Sequence, residues 1–168
     1  MKLSSYSQEW KTLYDNEEEK IKGVIGDFIV DIQHIGSTAI PVIAAKPIID
    51  IAVLLSSLEK VEDLIKSLAK IGYNYDKPTS SPERYFFRKG EPVQYHWSLT
   101  APNVTFWRRQ ILFRDYLSKH QFLAKEYEKL KLEMIKKDPT GRKDYLNAKS
   151  PFVRRVLELA EKELKSGV

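Results

Sequence analysis

The chain has no cysteine in its 168 residues. That excludes a disulfide framework, thiolate chemistry and any cysteine-based zinc site, and it suits a reducing compartment. The opening residues, MKLSSYSQEWK, contain no apolar core of a signal peptide. No apolar run approaches the length needed to span a bilayer, so no membrane partner is expected and the expected location is cytoplasmic. Internal repeats and low-complexity segments are absent too. No Lys-Ser/Thr pair follows a glycine at the spacing of a Walker loop, which excludes that kind of nucleotide site.

What is present is ordinary for a globular protein: 42% hydrophobic and 30% charged residues. The length implies one domain, residues 1–168, with a substantial core. The net charge of +5 is unevenly placed. Residues 1–103 carry 12 basic and 14 acidic side chains, net −2, and residues 104–168 carry 16 and 9, net +7. A basic C-terminal portion could attract a polyanion such as a nucleotide or nucleic acid. It is equally what the solvated faces of amphipathic helices look like, and that plainer reading is favoured over nucleic acid.

Periodicity orders the chain. A helix is expected over Ser7–Val24, with a capping box from Ser5 and Gln8 and Glu17-Glu18-Glu19 on its wet side. Phe28–Ile35 alternates as a strand. After the Gly36 turn a short segment that reads as helical runs to Ala45. Ile48–Leu55 is apolar on both faces, as a covered central strand would be. A helix capped by Ser56 is expected over Ser56–Ile71, then a short strand at Tyr73–Tyr75 and a mobile flap at Asp76–Pro82. Arg84–Arg88 and Val93–Thr100 should form a hairpin. Helices are expected over Thr105–Lys119, Gln121–Lys137 and Pro151–Lys165, the last capped by Ser150 with Pro151 at its first position, and Asp138–Gly141 separates the last two. This order implies an α/β fold with a mixed sheet of about four or five strands, flanked by helices, and a helical C-terminal portion from about 104 to 168.

The stretch His34–Leu55, HIGSTAIPVIAAKPIIDIAVLL, concentrates the chemistry. Gly36, Ser37 and Thr38 offer backbone N–H groups and two hydroxyls, which suits a phosphate; a lone turn of this composition can equally be only a turn. Asp50 sits in an apolar run, where an unpaired carboxylate is costly, and such conflicts tend to mark sites. On a strand Asp50 and Ala52 share a face, so the Asp-x-Asp pair that holds two metal ions is missing its second member. His96 shares a polar strand face with Gln94 and Ser98. It could pair with Asp50 or complete a Mg2+ or Mn2+ site, and His34 is a further candidate for the same space. Lys46, Arg84, Arg88, Arg108, Arg109 and Arg114 are the phosphate-binding candidates. Arg108 and Arg109 lie in the first turn of a helix, where cations oppose the dipole unless an anion joins them.

Three separated segments, HIGSTAIPVIAAKPIIDI (34–51), YHWSL (95–99) and FRDYL…EYEKLK…YLNAKSPFV (113–153), resemble the GrpB family over nearly the full length. That family is assigned to the nucleotidyltransferase superfamily, whose signature is an apolar residue, Gly-Ser, a spacer and then Asp-apolar-Asp/Glu. Ile35-Gly36-Ser37 matches the first part, and Asp50-Ile51 begins the second after twelve intervening residues. The resemblance implies a nucleotidyltransferase-type fold that binds a nucleoside triphosphate or other phosphorylated small molecule. It supports Gly36, Ser37 and Asp50 and has no counterpart of the superfamily's third acid, since the later strand presents His96. Together with the candidates read from the residues, Asp50 and His96 are expected to be catalytic and metal-binding, and Gly36, Ser37, Thr38, Lys46 and Arg109 ligand-binding. Ala52 departs from the signature and implies weak or absent transfer. A GrpB-like domain also occurs fused behind dephospho-CoA kinase, which makes a non-catalytic, folding-assisting module the alternative expectation.

Overall fold

The structure, a computed structural model, describes residues 3–102, 105–138 and 145–167, with only the backbone described for 145–147. Five strands are present: β1 (Ile29–Ile35), β2 (Ile49–Leu55), β3 (Asn74–Tyr75), β4 (Arg84–Lys89) and β5 (Tyr95–Thr100). They form one sheet in the order β1-β2-β5-β4-β3, with β2 and β5 parallel and every other pair antiparallel. The helices are α1 (Glu9–Ile25), α2 (Val61–Ala69), α3 (Thr105–Lys119), α4 (Gln121–Lys137) and α5 (Tyr145–Ser166).

Alternation along β2 decides which layer covers which face. Ile49, Ile51, Val53 and Leu55 join Trp97 and Leu99 of β5, Phe87 of β4 and Ile32 of β1 in the main core, beneath Trp10, Tyr14, Ile21 and Ile25 of α1 and Leu64 and Leu68 of α2. A second core gathers Leu117, Ala124, Tyr127, Phe152 and Val156 from α3, α4 and α5 around Ile40 and Ile43, which follow the Gly36 turn. The helical portion is therefore built around the chain segment between β1 and β2.

The outer edge of β1 is closed by side chains. The Ile32 N–H donates to Asp31 Oδ1 (2.8 Å), the Tyr14 hydroxyl donates to the Ile32 carbonyl (3.2 Å), and Arg114 Nη1 donates to the His34 carbonyl (2.7 Å). Ladder groups satisfied in this way are poor templates for another strand.

Several expected boundaries move. α2 begins at Val61, because the Ser56 N–H bonds the Phe28 carbonyl and extends the sheet's edge instead of capping a helix. No capping box forms from Ser5 and Gln8; Ser7 Oγ accepts the Glu9 N–H at 3.2 Å. The segment after Gly36 is a single 3-10 turn, Ser37–Ala39, followed by turns to Ala45, with Val42 at φ 66°. α5 starts at Tyr145, so Pro151 lies inside it and Ser150 is not its N-cap; the proline forgoes one backbone hydrogen bond near the helix start. Beyond Asp138, the expected Asp138–Gly141 connection lies outside the described residues. The expected flap is tied down: Asp76 N donates to the Phe86 carbonyl, Ser80 Oγ accepts the Phe86 N–H, and Ser81 and Arg84 exchange backbone bonds. Glu17 is fully buried rather than on the wet side of α1.

Candidate functional site

The face of the sheet turned away from α1 and α2 carries the polar residues. One cross-strand row at the start of β2 reads Ile35, Asp50, His96, Arg88 and Asn74. Register alone places Asp50 and His96 side by side, and His96 Nδ1 lies 3.1 Å from Asp50 Oδ1. A carboxylate only accepts, so the imidazole donates from Nδ1, and in the neutral ring the remaining lone pair is on Nε2. Both side chains reach solvent, 35% exposed for Asp50 and 28% for His96. The His96 ring also packs on Phe86, with centroids 5.2 Å apart.

Gly36 closes the site from β1. Its φ of 71° and ψ of −170° fall in a region open essentially to glycine alone. A Cβ at this position would lie 2.9 Å from both Cβ and Cγ of Asp50, and closer still to Oδ2. The turn backbone thus rests directly on the Asp50 carboxylate. Ser37 follows, facing the Tyr127 hydroxyl from the second core; burial pushes that phenol above its ordinary range.

Other candidates separate from this cluster. Thr38 is buried and faces inward, its hydroxyl donating to the Ile48 carbonyl (3.2 Å) and accepting from His34 Nε2 (2.9 Å). His34 pairs with Ile51 across the ladder, so it projects to the α1 face and not into the space of Asp50 and His96. It stacks on Tyr14 at 5.0 Å with an interplanar angle of 7°. Lys46 is exposed just ahead of β2, and Arg108 and Arg109 are exposed on the first turn of α3. Arg114 is engaged by Gln33, the His34 carbonyl and Asp115, which makes it a tie between α3 and β1.

Residues without a sequence signal of function complete the setting. α4 grips the turn segment from outside: the Glu128 carboxylate accepts the Ala44 N–H, Lys131 Nζ donates to the Ala44 carbonyl at 2.7 Å, and Lys125 Nζ donates to the Val42 carbonyl. Lys131 is only 2% exposed, and burial lowers its pKa to about 8. The available signal was a lysine four residues after Tyr127, on the buried stripe of α4.

Burial also pushes His34 down from 6.5 to about 4, against a smaller opposing pull from Asp50. Between those values the unfolded chain binds a proton that the folded chain refuses, so stability should fall as pH drops from about 6.5 to about 4. The expected loss is roughly 3 kcal/mol. Urea denaturation across that range should show a steeper acid loss for the natural protein than for His34→Gln. Parallel curves would remove His34 as the cause.

The donor set does not fit a two-ion centre. Among the described residues no three His, Asp or Glu gather where they could hold a metal. Ala52, the position of the second carboxylate, is 1% exposed between Gln33 and Ser98.

This arrangement of a Gly-Ser turn resting on a strand carboxylate sits on a nucleotidyltransferase-type fold. The solved structure of the Cid1 poly(U) polymerase bound to MgATP superposes with a TM-score of 0.51 at 12% identity, covering 71% of this chain and 39% of that one. The chain matches the family described as GrpB protein over residues 1–159 and belongs to it. The crystal structure of GrpB from Enterococcus faecalis aligns with a TM-score of 0.88 at 28% identity, covering 97% of this chain and 99% of that one. Glutamate-rich protein GrpB of Alkalihalophilus pseudofirmus is 35% identical, over 92% of each chain. UPF0157 protein YqkA of Bacillus subtilis is 34% identical over 94% of this chain but only 46% of its own length. A dephospho-CoA kinase of Mycolicibacterium paratuberculosis is 28% identical over 88% of this chain and 38% of its own. Among the described residues no helix is long and apolar enough to cross a membrane.

Proposed function

We propose that this protein binds a nucleoside polyphosphate or related phosphorylated small molecule at the Gly36-Ser37 turn and the Asp50–His96 pair, with weak or absent nucleotidyl transfer. The observation that carries this reading is the contact of Gly36 with the Asp50 carboxylate, a backbone arrangement that core packing alone does not call for. In it the Ser37 amide and hydroxyl approach the ligand's phosphates, Lys46 and Arg109 supply cationic surface, and His96 Nε2 is free to accept a proton from an attacking hydroxyl. Asp50 offers one hard oxygen donor to a single Mg2+ or Mn2+ ion. A lone carboxylate beside a histidine is too few ligands for tight binding, which is why little transfer is expected.

A thermal-shift screen of nucleotides, with and without Mg2+ or Mn2+, tests this on the natural protein and Asp50→Asn. A ligand at about 100 times its Kd should add roughly 2.7 kcal/mol of stability to the natural protein. Asp50→Asn should abolish that gain without lowering the stability of the unliganded protein. If the variant loses roughly 1–3 kcal/mol and still binds, Asp50 anchors a hydrogen-bond network instead.

Buried Ala52 and the match to part of a dephospho-CoA kinase favour a second reading, a non-catalytic module that acts by association. It predicts no nucleotide-dependent shift under any of these conditions.

A further inference from the structure

Beyond Asp50 and His96, the same face of the sheet carries two arginines. Phe86 pairs with Ser98 and Arg88 with His96, so Arg84, Phe86 and Arg88 all project to the side of the candidate site. Phe86 is buried between the two guanidiniums, whose central carbons lie 5.1 Å (Arg84) and 5.6 Å (Arg88) from its ring centroid. Cation–π contact of this kind fixes where a guanidinium sits and leaves its edge open.

Neither arginine is fully used by the protein. Arg84 donates from Nη2 to the Thr79 carbonyl at 2.6 Å and lies against Phe106, 5.2 Å from that ring, but it has no carboxylate partner among the described residues. Burial lowers its pKa, as expected for a partly desolvated cation lacking a counter-charge. Arg88 meets Asp76, with its nearest approach through Nε at 2.7 Å, and has no second carboxylate partner among the described residues. Its side chain is 47% exposed. A half-buried cation without an anion, next to a half-exposed guanidinium, is an arrangement that an incoming anion would complete.

We infer that Arg84 and Arg88 form a two-point clamp for a polyphosphate chain. Residues four apart on a strand are separated by about 13 Å, but both guanidiniums lean over the Phe86 ring between them, which holds their central carbons within about 11 Å of each other, a gap that the two ends of a di- or triphosphate can bridge. Each guanidinium can present a bidentate fork, which a lysine cannot. Arg88 stands next to His96 in the cross-strand row, so a chain held here runs toward the Asp50–His96 pair. Asp76 is the anion that Arg88 holds when no ligand is bound, and the ligand competes with it. This inference rests on the phosphate-binding reading above and names the residues that would select the ligand's charge and length.

Calorimetric titration of the full chain with orthophosphate, pyrophosphate, inorganic tripolyphosphate and ATP tests it, using the natural protein, Arg84→Gln, Arg88→Gln, Arg84→Lys and, as a control for net charge, Arg154→Gln on the exposed face of α5. Tripolyphosphate should bind more tightly than orthophosphate. Either glutamine variant should weaken it roughly tenfold to a hundredfold, the loss of one charge-assisted hydrogen-bonding group. Arg84→Lys, which keeps the charge and loses the fork, should fall between, and Arg154→Gln should match the natural protein. Urea midpoints of all variants separate lost binding from lost folding, with Arg84→Lys standing in should Arg84→Gln fail to fold. Tripolyphosphate binding without any added affinity for ATP would support the clamp and reject the nucleotide reading. ATP binding lost in Asp50→Asn but untouched in both glutamine variants would support that reading and overturn the clamp. Equal weakening by Arg154→Gln, or no binding of any polyphosphate, would also overturn it.

Discussion

Gly36→Ala is expected to cost roughly 3–5 kcal/mol of stability and to abolish ligand binding, a loss at the upper end of what single substitutions do. Two penalties combine. The φ and ψ of Gly36 lie where a side chain is strained by roughly 1–3 kcal/mol. The new methyl would also meet Cβ and Cγ of Asp50 at 2.9 Å, well inside contact distance. Asp50 has little room to withdraw, since its backbone lies between β1 and β5 and its carboxylate is held by His96. Combining Gly36→Ala with Asp50→Ala removes the contacts with Cγ and Oδ2 but leaves the Cβ contact and the backbone strain, so the double variant should regain only part of the loss. Urea denaturation of the three proteins measures this. A loss under about 1 kcal/mol for the single variant would mean that the turn relaxes away from β2 and does not hold the site's shape.

The parts of the site that could be read from sequence are those governed by strand periodicity. Alternation put Asp50 and Ala52 on one face of β2 and Gln94, His96 and Ser98 on one side of the later strand. Once β2 and β5 are neighbours, Asp50 opposes His96 by register alone. The five-stranded mixed sheet and the three C-terminal helices follow from the same patterns. Period-two reasoning equally places His34 on the opposite face from Ile35, so grouping it with Asp50 relied on proximity in sequence to the turn and not on the pleat.

Tertiary pairing decided what periodicity could not. Val42 adopts φ 66° in a segment that reads as helical, because Ile40 and Ile43 are drawn into the second core and α4 takes up the backbone groups of Val42 and Ala44. Thr38 and Arg114 look like ligand contacts in the sequence, yet each is satisfied by partners distant in the chain, Ile48 for one and Gln33 and His34 for the other. Asp76–Pro82 has the composition of a mobile loop, but Arg84 and Arg88 hold it against β4. A polar residue's free valences become visible only when its neighbours are known.

Glu17 shows this most strongly, and Glu17→Ala is expected to lose roughly 3–5 kcal/mol, the cost of leaving a buried ion without its partner. Within the run Glu17-Glu18-Glu19, only Glu17 falls on the stripe of Trp10, Tyr14 and Ile21, and it is fully buried there. Its carboxylate accepts from Lys89 Nζ at the end of β4 and from Lys20 Nζ at 3.2 Å. Lys89 Nζ also lies over the rings of Tyr73 and Tyr95, at 5.1 and 5.8 Å. The Tyr73 hydroxyl has no well-formed hydrogen bond among the described residues, and burial, then the charge of Glu17, pushes its pKa up. Alanine would therefore leave Lys89 without its counter-charge, deepen the isolation of Tyr73 and open a cavity. Because Lys89 pairs with Tyr95, the ion pair fastens α1 to the β4–β5 hairpin, whose second strand carries His96 one residue further on. Glu17→Gln should lose less than alanine, since it keeps the volume and one acceptor. The double variant Glu17→Leu with Lys89→Met should recover most of the stability, because removing both charges removes the desolvation cost as well. Guanidinium denaturation of the natural protein and these variants decides the matter. A double variant as unstable as Glu17→Ala would show that packing, not charge pairing, holds α1 to the hairpin.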